Sequence, residues 1–103
     1  MDFVMPDDPF VLELLPEFVD TWITDMDEVY DNYVETENET ELYRLAHTLK
    51  GSCLQFGINN IGNMGIELMA IARAHDWEKA KEYGVILKLS FKEIKNYLDN
   101  LQT

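Results

Sequence analysis

The segment LYRLAHTLKGSCLQFG, Leu42 to Gly57, repeats apolar residues at the period of an α-helix. Leu42, Leu45, Ala46, Leu49, Cys53 and Phe56 fall on one stripe, so this helix needs apolar partners along its length. Gly57 ends it in the manner of a C-terminal glycine. At about 100° of turn per residue, His47 points roughly 140° away from the centre of the stripe. Tyr43 stands one turn before it on that side, Lys50 and Gly51 one turn after, and Leu54 two turns after. Two apolar residues, a cation and a missing side chain around an outward histidine read as a docking surface around a reactive imidazole.

The neighbouring segments supply the partners. Asp8 is placed to cap and Pro9 to open a short first helix carrying Phe10, Val11, Leu14 and Leu15. Pro16 is then expected to begin a second, because proline suits a first turn and not an interior. Val19, Trp22, Ile23, Met26, Val29, Tyr30 and Tyr33 recur along it at three- and four-residue steps. The polar run Glu35 to Thr40 breaks the pattern, and Asn38 followed by Glu41 resembles a capping arrangement for the His47 helix. After Gly57 a fourth helix turns Ile61, Met64, Leu68, Ile71 and Ala72 inward. Asp76 caps a last one with Ala80, Gly84, Leu87, Phe91, Ile94, Leu98 and Leu101. No strand pattern competes. Short connections between long amphipathic helices predict an all-α fold, an antiparallel up-down four-helix bundle with a short additional N-terminal helix, as one domain over residues 1–103.

Composition agrees with a packed domain: 47% of the 103 residues are apolar and 12% aromatic. No apolar run approaches the roughly 20 residues needed to cross a bilayer. The net charge of −12 repels phosphate backbones and anionic lipid, so neither nucleic acid nor a membrane surface is an expected partner. Cys53 stands alone, so no intrachain disulfide forms, and no cationic start precedes an apolar run, which predicts a cytoplasmic protein. Charge is unevenly spread. Residues 1–43 carry 14 acidic side chains and no Lys or Arg, and the first two cations, Arg44 and Lys50, bracket His47.

Each of these residues has a use if the imidazole accepts a phosphoryl group. A histidine ring can attack phosphorus through a ring nitrogen. Lys50 offsets the charge of the dianion. Gly51 lowers helix stability by about 1 kcal/mol relative to alanine and leaves room for the phosphoryl group and an incoming backbone. The run His47, Leu49, Lys50, Gly51, Ser52 and Gly57 resembles the H-x-L-K-G-x-x-x-x-x-G signature of histidine-containing phosphotransfer (HPt) domains, which are four-helix bundles of about this size. The resemblance covers essentially the whole chain. It implies that His47 is the phosphoacceptor and that Lys50 and Gly51 shape the phosphate site; from their places on the same side of the helix, Tyr43, Arg44, Leu54 and Gln55 are the candidate partner contacts. The implied partners are response-regulator receiver domains and a sensor or hybrid histidine kinase, with the chain itself a monomer. The receiver would bring the aspartate and the Mg²⁺, so this chain is expected to hold no cofactor or metal of its own. It has no glycine-rich nucleotide loop, so self-phosphorylation is not expected.

The sequence departs from the family pattern it resembles at one point. Many family members hold the second imidazole nitrogen with a polar residue on the following helix, and the residue level with His47 there is Met69, with Glu67 about 200° around the helix from it. The rival reading is a phosphorylation-independent adaptor that binds receiver or kinase domains through Tyr43, His47 and Leu54. A metal-binding bundle lacks paired Glu-x-x-His ligands. His75 reads as a surface residue, and Asp25, Asp27, Glu28 and Asp31 as a solvated acidic face without the glycine of a calcium loop. Cys53 reads as core, and the sequon at Asn38 as unused. Gly62 and Gly65 are expected to pack closely against the His47 helix.

Overall fold

The structure, a computed structural model, describes residues 8–101. Helix α1 (Pro9–Asp25) continues through a π-helical turn (Met26–Tyr30) into α2 (Asp31–Glu35). Helices α3 (Glu39–Gln55), α4 (Asn59–Arg73) and α5 (Trp77–Leu101) follow. The described residues contain no strand. The side chain of Leu101, placed on the α5 stripe above, lies outside the description.

Pro16 does not start a new helix. The backbone runs through it inside α1, so the separate short N-terminal helix is instead the first turns of a longer rod. Proline removes one rung, the bond its N–H would have given to the Leu12 carbonyl. Burial of Leu15 and Val19 on either side holds the helix together there. Asp8 does cap this helix, accepting from the Phe10 N–H at 2.9 Å. Phe10 and Leu14 stay exposed at 67% and 41%, so only Leu15 of the first apolar group reaches the core.

The π turn has a packing consequence. Met26, Tyr30 and Val34 are buried at four-residue steps, and Tyr33, expected inward, is only half-buried. An α-helix drifts about 40° over each such step, and the wider turn absorbs that drift. Tyr30 is thereby aimed into α5, where its hydroxyl donates to the Ala80 carbonyl at 2.5 Å. Its ring lies where a side chain on Gly84 would be: a Cβ there would stand 2.5 Å from Tyr30 Cε1.

Three turns join the rods, each closed by a paired backbone motif of the Schellman kind. Between α3 and α4 the Ile58 N–H donates to the Cys53 carbonyl at 2.8 Å and the Gly57 N–H to Leu54 at 3.1 Å, with Gly57 at φ 79°. The other two place Glu37 (φ 52°) and His75 (φ 57°) in the same left-handed conformation. Asn38 and Asp76 then cap α3 and α5, accepting from the Glu41 and Lys79 N–H groups, each at 3.2 Å.

Contacts between neighbouring rods run in opposite chain directions. Phe18 stacks on Phe56 at 4.2 Å and Trp22 on Phe91 at 5.9 Å. Lys95 pairs with Asp20 and Lys88 with Asp31, each at 2.7 Å, clamping α5 to the first rod. The core holds Leu15, Val19, Met26, Leu42, Ala46, Leu49, Ile61, Leu68, Leu87 and Phe91, all fully buried. Helix α3 packs on α4 and on the first rod, and α5 packs on those same two, which sets α3 and α5 diagonally across the bundle.

Candidate functional site

Helices α3 and α4 make the most extensive contact of any pair among the described residues, and glycines let them come close. A Cβ on Gly65 would lie 2.8 Å from the Lys50 nitrogen and 3.0 Å from the Ala46 carbonyl oxygen. One on Gly62 would lie 2.7 Å from the Leu54 side chain. Both glycines therefore serve packing, as their sequence positions predicted, and they seat α4 against the segment that carries His47.

Gly51 is different. A Cβ there would meet nothing within 4 Å. Its absence is not demanded by any neighbour, yet it stands one turn from His47 and leaves open ground beside the ring. His47 is exposed, and among the described residues its imidazole has no hydrogen-bond or ion-pair partner. Lys50 is half-buried and likewise has no ion-pair partner.

The other expected contact residues divide. Leu54 is 38% exposed over Gly62, and Gln55 is exposed. Arg44 is exposed but tied to Glu41 at 3.2 Å. Tyr43 is half-buried, and the Arg73 guanidinium lies 4.4 Å from the centre of its ring, so its face is covered rather than free. Arg73 and Ile66, the latter 47% exposed, are additions from α4 that the α3 reading missed. A basic residue in the last turn of α4 and an isoleucine outside that helix's buried stripe were the available signals.

Arg44, Lys50 and Arg73 are all the cations of the chain outside α5. Two of them lie on α3 within one turn of His47, and the third reaches α3 through Tyr43. An acidic molecule has thus gathered positive charge around one exposed imidazole, which suits an anionic group held there. Met69 is half-buried against the core. Glu67 instead accepts a hydrogen bond from the Tyr83 hydroxyl. Away from the site, burial pushes the Cys53 thiol up to about 12. His75 pairs with Glu39 across two connections of the bundle.

A helical bundle presenting such a histidine has the build of a phosphotransfer module. The family model described as Hpt domain matches residues 13–103, and the chain belongs to that family. Hpt domains serve phosphotransfer in two-component phosphorelays, where they interact with receiver domains and kinases. Neither curated proteins nor solved structures provide a match. No helix among the described residues is long and apolar enough to cross a membrane.

Proposed function

We propose that this chain is a phosphorelay carrier that accepts a phosphoryl group on His47 and passes it to and from receiver-domain aspartates. The observation that carries this reading is Gly51: a mid-helix glycine with no packing reason, one turn from an exposed and unpartnered histidine. In the transfer step the lone pair of a neutral ring nitrogen attacks the phosphorus of the receiver's aspartyl phosphate. The N–P bond forms as the P–O bond to the carboxylate breaks, the carboxylate leaving with the electron pair, and the other ring nitrogen keeps its proton. Lys50 offsets the charge of the phosphoryl oxygens, and Gly51 lets the partner's backbone come close. Positioning and charge neutralisation carry most of such a reaction.

This reading assigns no metal or nucleotide to the chain. Mg²⁺ belongs to the receiver, and the first phosphoryl group comes from a sensor or hybrid kinase by way of a receiver. Arg44, Leu54 and Gln55 form the partner surface, with Tyr43 at its edge beneath Arg73 and Ile66 extending it onto α4. The setting is cytoplasmic.

The test is transfer from phosphorylated receiver domains, several of them, with Mg²⁺. Wild-type protein should gain acid-labile, base-stable phosphate, and His47→Gln should gain none. Binding without label from any receiver would sink the carrier reading in favour of the adaptor, with Met69 in place of a polar partner as the explanation.

A further inference from the structure

The helix diagonal to α3 carries a second exposed surface that phosphotransfer at His47 does not use. On α5, Val85, Ile86 and Leu89 are 59%, 47% and 58% exposed. Val85 and Leu89 lie opposite the stripe of Ala80, Leu87, Phe91 and Ile94 that faces the core, and Ile86 lies on the flank between. Ile86 and Leu89 also line, with Asn63, Met64 and Ser90, a groove of about 450 Å³ between α4 and α5. At 100° per residue, Lys81 and Lys92 fall on one flank of Val85 and Leu89, and Glu82 and Glu93 on the other. Among the described residues none of these four charges has an ion-pair partner within the chain.

We propose that this face binds a second copy of the chain, α5 against α5 in parallel, across a two-fold axis. Charge selects both the occupant and the direction. Helix α5 holds five of the eight Lys and Arg residues against four acidic ones, a net +1, while the rest of the chain carries −13 of the total −12. It is the one rod with a net positive charge, so two acidic copies meet along it without the repulsion that the acidic first rod would bring. In a parallel pairing each copy's lysine flank meets the other's glutamate flank, Lys81 opposite the second Glu82 and Lys92 opposite the second Glu93. An antiparallel pairing sets lysine on lysine and glutamate on glutamate. Val85 and Leu89 form the seam in either case, but only the parallel one closes it with opposite charges, as flanking pairs do in parallel coiled coils. The contact is self-complementary, as a two-fold interface must be.

One helix face against its copy buries less than the roughly 1,200 Å² of a standard interface, so the dimer is concentration-dependent. It replaces the expectation of a simple monomer. Because α3 lies across the bundle from α5, both His47 surfaces face away from the seam and both copies remain open to partners.

Sedimentation velocity of the full chain from about 5 to about 500 μM, at about 0.15 M salt, tests this, since that range brackets a weak interface. Wild-type protein should move from monomer to dimer, and Leu89→Glu should weaken association by about tenfold or more. Circular dichroism checks that the variant is folded; Val85→Ser provides a milder second variant on the same seam. Lys92→Glu should weaken the dimer, and Lys92→Glu with Glu93→Lys should restore it. Those two residues are sequence neighbours on different flanks, so the restored contact forms between copies. A wild-type chain that stays monomeric at about 500 μM overturns the proposal. So does a Leu89→Glu protein that associates like wild type. Strengthening by Lys92→Glu overturns the parallel arrangement.

Discussion

His47 and Gly51 are separated by one helical turn, and each makes sense only beside the other. An exposed imidazole alone would be an ordinary surface histidine. An exposed mid-helix glycine alone would be a small defect. Because a Cβ at 51 would meet nothing within 4 Å, Gly51→Ala should raise stability by about 0.5 to 1 kcal/mol through helix propensity. The same change should lower phosphoryl transfer to His47, since the added methyl enters the ground the phosphoryl group uses. Thermal melts and transfer rates measured on one protein should therefore move in opposite directions. A variant both more stable and equally active would remove the steric role assigned to Gly51. At this scale the sequence was informative where a residue breaks its own helix's logic, as His47, Lys50 and Gly51 do. It could not show that Arg73 covers Tyr43, because that contact depends on how deeply α4 settles onto α3.

That depth is set between elements, by glycines whose partners are backbone or side chain. At Gly65 a Cβ would press on the Lys50 nitrogen and Cα, neither of which can move without parting the helices. At Gly62 it would press on the outer atoms of Leu54, which is 38% exposed and can turn aside. Gly65→Ala should therefore destabilise by about 1 to 3 kcal/mol, the range of overpacking, and Gly62→Ala by distinctly less. Urea melts that rank the two the other way would contradict the close approach at Ala46 and Lys50. The turns offer a second prediction. Glu37 holds a left-handed conformation at φ 52° that the corresponding Gly57 reaches at no steric cost. Glu37→Gly should thus stabilise by about 1 kcal/mol, read as a higher melting temperature. Capping residues Asn38, Asp76 and Asp8 were legible, because a cap is a local hydrogen bond. The run of α1 through Pro16 was not, nor was the π turn. Both depend on what Leu15, Tyr30 and Val34 bury against, and tertiary contacts overrode the local preference.

At the scale of the whole molecule, the chain separates its charges and, among the described residues, keeps Asp, Glu, Lys and Arg out of its core, and pH reports on the second of these. Cys53 is fully buried, and its thiol is pushed from 9.0 to about 12 by desolvation. The Tyr30 hydroxyl is raised for the same reason, burial first, with the nearby Asp31 carboxylate adding to it. A group whose folded value lies above its unfolded value contributes stability that is whole below the unfolded value and is lost as pH rises through the folded one. For Cys53 that window runs from about 9 to about 12, and three pH units correspond to roughly 4 kcal/mol at most. Wild-type stability should therefore fall across this window. Cys53→Ala, although less stable at pH 7 because it opens a small cavity, should lose less over the same range. The lysine pairs of α5 with Asp20 and Asp31 are common to both proteins and cancel in the comparison. Urea unfolding at half-unit steps from pH 8 to about 11 reads the two slopes. Equal slopes would mean that the folded thiol ionises as easily as the unfolded one, which would contradict the dry interior that seats α4 on α3 and holds His47 on the surface.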